Sequence, residues 1–178
     1  TVLPGFIDAH QHPCIVALYG GTVALTPPAV WDIASLQAVL RQAASTLAPG
    51  QWLVAMGWDE SQLKEARAPT RQELDDAVPD RPMMAMHYTG HRVVANSRAL
   101  ERAGLRAQTP DPSGGWMGRD RRGQLTGLLV ERAMSPVERL VRLRLRPRGR
   151  RPRARRPCHP PRDPARDRLR RAGCDQAG

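Results

Sequence analysis

Three short apolar runs, each leading straight into polar residues, constrain this chain more than any other feature of it. The first covers residues 2–7 (VLPGFI) and leads into Asp8-Ala9-His10-Gln11-His12. The second covers 52–57 (WLVAMG) and leads into Trp58-Asp59-Glu60. The third covers 83–87 (MMAMH) and leaves through Tyr88-Thr89-Gly90-His91. Runs of this length with no polar face read as buried strands. Between the first two, apolar residues recur at Ile33, Leu36, Val39/Leu40, Ala43/Ala44 and Leu47. That is helical spacing, with Asp32 as N-cap and Pro49-Gly50 as the stop. Between the second and third, Thr70 and Glu73 stand three apart, as a capping box requires, and open a short helix that Pro79 ends. Residues 96–103 form a further short helix closed by Gly104, residues 109–127 a loop with a hairpin turn at 120–123, and 128–141 is helical at its end. Strand and helix alternate, so the expected fold is a parallel α/β arrangement with its site at the C-terminal ends of the strands. The order alone leaves a closed barrel and an open sheet equally admissible.

Charge divides the chain differently. Residues 1–138 hold 13 basic and 14 acidic side chains, whereas 139–178 hold 15 basic and 3 acidic, so the net +11 belongs to the end and not to the body. Over 142–178, Arg, Pro, Ala and Gly fill 27 of 37 positions and apolar periodicity vanishes. Such a segment buries too little to offset its chain entropy and is expected to be disordered. With 27 Arg to a single Lys, Lys64, the composition points to GC-rich DNA, and a reading-frame shift near residue 142 would produce such an end. An Arg-rich tail also contacts polyanions, which gives the alternative reading: a nucleic-acid-binding protein acting non-specifically through residues 142–178. The tail has no aromatics for base stacking and no DNA-binding motif. Cys14, Cys158 and Cys174 suit neither a disulfide framework nor a metal ribbon, and no apolar run approaches the ~20 residues that span a bilayer. No export signal is visible, so the cytoplasm is the default location. The chain opens on Thr1, directly before a strand-like run, and reads as cut from something longer.

His10 and His12 carry the sharpest chemistry. On a strand, residues i and i+2 share a face and stand about 6.5 Å apart along the backbone. Two imidazoles so placed suit one borderline divalent ion, zinc foremost. Taken alone, the pair reads more readily as two exposed loop histidines.

The run Leu3-Pro4-Gly5-Phe6-Ile7-Asp8-Ala9-His10-Gln11-His12-Pro13 resembles the first-strand signature of the amidohydrolase superfamily, in particular its amidohydrolase 3 branch with the N-substituted formamide deformylase-like proteins. Further landmarks of that branch follow in order: Gly57-Trp58-Asp59-Glu60, Pro69-Thr70-Arg71 with Leu74-Asp75, Pro79-Asp80-Arg81-Pro82 and Gly90-His91. Asn96-Ser97 with Ala99-Leu100, Pro110-Asp111-Pro112 with Gly114-Gly115, and Gly127 with Leu129 and Glu131 complete the series, over residues 1–141. The resemblance implies the first strands and helices of a (β/α)8 TIM-type barrel. It implies a divalent metal, with zinc expected, on His10 and His12, and hydrolysis of an amide or related C–N bond of a small molecule by metal-activated water. It offers Glu131 as a further metal ligand, against a solvated glutamate at a helix start. It offers His91 and Asp59 as substrate-side residues, against a backbone-satisfied histidine and a solvated aspartate. Asp8 braces the strand exit, and Cys14 reads as a small buried thiol in preference to a third soft ligand.

Departures from the family pattern are equally informative. His87 and Thr89 stand where the branch carries other polar residues, and His87 reads as structural. The late aspartate that serves the superfamily as general base has no counterpart, and His159, the one later histidine, sits in the Arg-rich end without a strand pattern. A closed barrel takes about 250 residues, so the body supplies part of the strands and leaves edges open. The expectation is a chain that by itself is poorly soluble or molten and hydrolyses no amide.

Overall fold

The computed structural model describes residues 19–145, with side chains to Arg142. The strand expected at 2–7, His10, His12, Cys14 and nearly all of the Arg-rich end, His159 included, lie outside those residues. Six strands form one sheet: β1 (Val23–Ala24), β2 (Leu53–Trp58), β3 (Met83–His87), β4 (Arg92–Ala95), β5 (Gly115–Arg119) and β6 (Leu125–Glu131). Among the described residues four helices accompany them: α1 (Ile33–Ser45), α2 (Arg71–Ala77), α3 (Ser97–Arg102) and α4 (Ser135–Leu145), the last preceded by a 3-10 turn over Arg132–Met134. No helix among them is long and apolar enough to cross a membrane.

The local signals form as read. Asp32 caps α1 by accepting from the Ser35 N–H at 2.8 Å. In the Thr70–Glu73 box, the Thr70 N–H donates to Glu73 Oε2 at 2.8 Å and the Glu73 N–H to Thr70 Oγ1 at 3.3 Å. Asn96 caps α3 and is fully buried, its four bonds all made. Oδ1 accepts from the Met83 and Ala99 amides at 3.0 Å, and Nδ2 donates to the Val78 and Arg81 carbonyls.

The sheet departs from the all-parallel expectation. Its order is β1-β2-β3-β4-β6-β5, and only β1, β2 and β3 run parallel. β4 turns back on β3, and β6 pairs antiparallel with both β4 and β5. β4 is four residues long, too short for its pattern to declare itself, and follows a tight turn in which the Gly90 N–H donates to the His87 carbonyl. β6 occupies part of the stretch read as leading into a helix, and its alternating burial is the strand's own period of two. Gly127 makes the pairing possible, since a Cβ there would meet the Ala95 carbonyl oxygen at 2.5 Å. α4 continues to Leu145, four residues past the boundary expected at 141.

Both faces are covered, which explains the unbroken apolar strands. Leu53, Ala55, Met83, Ala85 and Val94 pack with Leu36 and Leu40 of α1 and Leu74 and Ala77 of α2. Their neighbours Val54, Met84, Met86, Val93 and Ala95 point the other way and pack with Leu100 of α3 and Val137 and Val141 of α4. Because β3 is buried at all five positions, no polar alternation is possible along it.

Candidate functional site

The ends of β2, β3 and β6 and the start of β4 lie at one end of the sheet, since Trp58 pairs with His87 and Arg92 with Val130. The polar residues that follow the apolar strands therefore converge. At Gly57 (φ +109°) the β2–β3 register shifts, and this break sets Trp58 opposite His87. Trp58 is fully buried, donates its indole N–H to the Ala85 carbonyl at 3.0 Å, and meets the His87 ring edge-on at 4.6 Å.

His87 is 2 % exposed and surrounded by charge. Its Nε2 lies 3.0 Å from Glu60 Oε2 and 2.8 Å from Arg92 Nη2. Its Nδ1 lies 2.7 Å from Thr89 Oγ1, and Tyr88 flanks the ring from the solvent side. Arg92 Nη2 also reaches Glu60 Oε1 at 2.8 Å, with its guanidinium 5.5 Å over the Trp58 ring. Burial first, then the Arg92 charge, push the His87 pKa below the ordinary imidazole value against the opposing pull of Glu60 and Asp59, so the ring is neutral near pH 7. Burial works against ionisation of Glu60, but its backbone bond and Arg92 outweigh it and hold the carboxyl below the usual carboxylate range. Asp59 is held low chiefly by the Ser61 N–H, which donates to its Oδ1 at 2.9 Å. Asp59, Glu60 and His87 each present one ligand atom, all within 4.8 Å of one another. Two carboxylates and a neutral imidazole are a donor set that fits a divalent ion.

A second pair stands beside this group. His91 Nδ1 lies 2.9 Å from Glu131 Oε1, with both side chains exposed (68 % and 53 %). The Glu131 N–H also donates to the His91 carbonyl, and Glu131 adopts φ +52°, a left-handed conformation that costs a non-glycine residue energy. Thr89 links the two groups, its Oγ1 touching His87 Nδ1 and accepting at 3.5 Å from the His91 N–H.

The structure thus gathers Asp59 into one group and His91 with Glu131 into another, while His10 and His12 lie outside the described residues. Sequence reasoning assigned no role to Glu60 or Arg92 and took His87 for scaffold. The one available signal was Asp59-Glu60 directly after an apolar run, with a histidine ending the next such run.

The family model described as "Amidohydrolase family" matches residues 1–155. Among relatives, the N-substituted formamide deformylase of Arthrobacter pascens is 38% identical over 133 residues, covering 75% of this chain and 24% of that protein. The putative amidohydrolase YtcJ of Bacillus subtilis is 31% identical over 141 residues, 79% of this chain and 26% of that one. An uncharacterized metal-dependent hydrolase from Pyrococcus horikoshii OT3 superposes with a TM-score of 0.53 at 25% identity, over 80% of this chain and 25% of its own. The chain spans about a quarter of the length of the curated relatives it matches. These likenesses support a hydrolase and, with the Asp59–Glu60–His87 group, a divalent metal.

Proposed function

The chain belongs to the amidohydrolase family, and from that membership we propose that it supplies the metal-binding end of a hydrolase acting on an amide or related C–N bond of a small molecule. The observation that carries this reading is the family match through the segment containing His10 and His12. Those two imidazoles would hold the ion, with zinc the choice their chemistry favours. When bound, a divalent ion acts as a Lewis acid and brings the pKa of water toward neutrality. In the same reading, the strand expected at 2–7, β2 and β3 with α1 and α2 are the first units of a TIM-type barrel, and the strand ends carrying Asp59 and His91 face the substrate. Glu131 then serves through His91, whose ring its carboxylate holds at 2.9 Å, and not as a ligand. A hydrolase of this plan needs groups from several strands, and about a quarter of a relative's length supplies only some of them. The 178 residues alone are therefore proposed to bind metal without turnover.

Fusing residues 1–141 to the remaining three-quarters of the A. pascens formamide deformylase tests the proposal. Hydrolysis of an N-substituted formamide by the fusion, lost in its His10→Ala and His12→Ala variants together with about one bound ion, is the expected result. A fusion that folds and hydrolyses equally well with both histidines replaced overturns it, as does turnover by the 178-residue chain.

A further inference from the structure

We propose that a cleft beside α4 binds a small carboxylate with a compact apolar body, whose charge Arg132 and Arg139 receive. The cleft has a volume of about 250 Å3 and is lined from the loop after α3, from β5, from the 3-10 turn and from the start of α4. Its apolar walls are Leu105, Pro110, Pro112, Met117, Ala133 and Pro136, and no acidic side chain lines it. Arg132 and Arg139 line it as well, both exposed to solvent.

Charge singles out these two arginines. The carboxylates nearest to them in the chain each have a partner already. Asp111 Oδ1 accepts from Arg119 Nη1 at 2.8 Å, Glu131 Oε1 lies 2.9 Å from His91 Nδ1, and Glu138 Oε2 lies 3.6 Å from Arg142 Nη2. Among the described residues, Arg132 and Arg139 take part in no ion pair. A guanidinium presents N–H donors in a fork that matches a carboxylate. Two of them at one apolar cleft therefore select a ligand that joins a carboxylate to a hydrocarbon body, since neither half alone satisfies both the walls and the charges.

The walls are held in place before any ligand arrives. Asp111, between two of the wall prolines, also accepts from the Met117 N–H at 3.2 Å, and Arg119 Nη2 donates to the Thr109 carbonyl at 2.6 Å. The loop is thereby pinned to β5. Arg132 is tethered too: its N–H donates to the Gly114 carbonyl at 3.3 Å, and its stem lies over Gly114, where a Cβ would meet Arg132 Cδ at 3.3 Å. Mostly apolar walls with a few placed polar groups are the usual make-up of a ligand pocket, and preformed walls lower the cost of ordering it. A dry cavity of about 150 Å3 holds benzene, so this cleft takes a ring with a short chain, about ten to twelve non-hydrogen atoms.

Calorimetric titration of the 178-residue chain with phenylbutanoate tests this. A dissociation constant of about 1 mM or tighter is expected. Phenylbutanol, the same body without the charge, should bind about tenfold or more weakly, and so should butanoate, which keeps the charge without the ring. Replacing both arginines, Arg132→Met with Arg139→Met, should weaken phenylbutanoate by about tenfold or more at an unchanged melting temperature, because both side chains are exposed. Butanoate bound as tightly as phenylbutanoate would place the acid on the Arg-rich end, and phenylbutanoate held at full strength by the double variant would place it outside the cleft. Either result overturns the proposal, as does equal affinity for the alcohol or no binding at about 10 mM. The readout involves neither metal nor hydrolysis, so it stands apart from the activity proposed above.

Discussion

Two histidines four residues apart meet opposite environments at the same sheet end. His87 closes β3, lies on buried Trp58, and has both ring nitrogens engaged by Thr89, Glu60 and Arg92. His91, one tight turn later, stands in solvent against the exposed Glu131. Burial separates them. In the first group, weak dielectric screening makes every charge count and fixes the protonation state. In the second, water screens the pair, and such an exposed pair stabilises the fold by about 0–1 kcal/mol. The group that is costly to disturb and the group free to meet a substrate are therefore distinct.

The largest expected effect comes from removing the floor of the buried group. Trp58→Ala deletes a fully buried indole and its bond to the Ala85 carbonyl, and should cost about 4 kcal/mol in urea unfolding. A loss below about 1 kcal/mol would show that the His87 group does not depend on this packing.

A smaller effect is a pH dependence that belongs to the buried histidine. The folded-state pKa of His87 is lowered, so the unfolded chain takes up a proton first as pH falls. The stability that comes from keeping the ring neutral is fully present above the ordinary imidazole pKa of about 6.5. It is lost progressively as pH drops from there through the lower folded-state value. Urea midpoints from pH 8 to pH 5, measured with chelator present, should fall over that window. His87→Asn should flatten the fall. A fall of unchanged size in His87→Asn would show that the buried ring is not its source.

The smallest effect belongs to the exposed pair. His91→Ala should shift stability by no more than about 0.5 kcal/mol. Glu131→Gly, relieving the backbone at φ +52°, should be neutral or stabilising by up to about 1 kcal/mol in thermal unfolding. A clear destabilisation by Glu131→Gly would mean that the carboxylate holds more than His91.

Much of the fold is legible along the chain. Asp32, the Thr70–Glu73 box and Asn96 announce their helices because a cap is a bond between residues three apart. The turn at 120–123 is marked by Asp120 and Gly123, whose amide donates back to the Asp120 carbonyl. β2 and β3 are visible as apolar runs bounded by polar residues. β4 and β6 are not, because a four-residue strand has no period to display and the antiparallel return depends on which partner lies opposite. The Thr70–Glu73 box could be read from four residues, whereas the neighbours of His87 could not.

By itself, the sequence determined where helices begin and end, which strands are buried, and that polar residues gather at strand ends, since each follows from interactions within a turn or two. Tertiary structure alone decided that Glu60 and Arg92, 32 residues apart, meet at His87, and that His91 finds Glu131 forty residues on. Pairing register set both meetings, through the break at Gly57 and the reversal from β3 into β4. Register is chosen by packing on the two sheet faces, and no short stretch of sequence contains that choice.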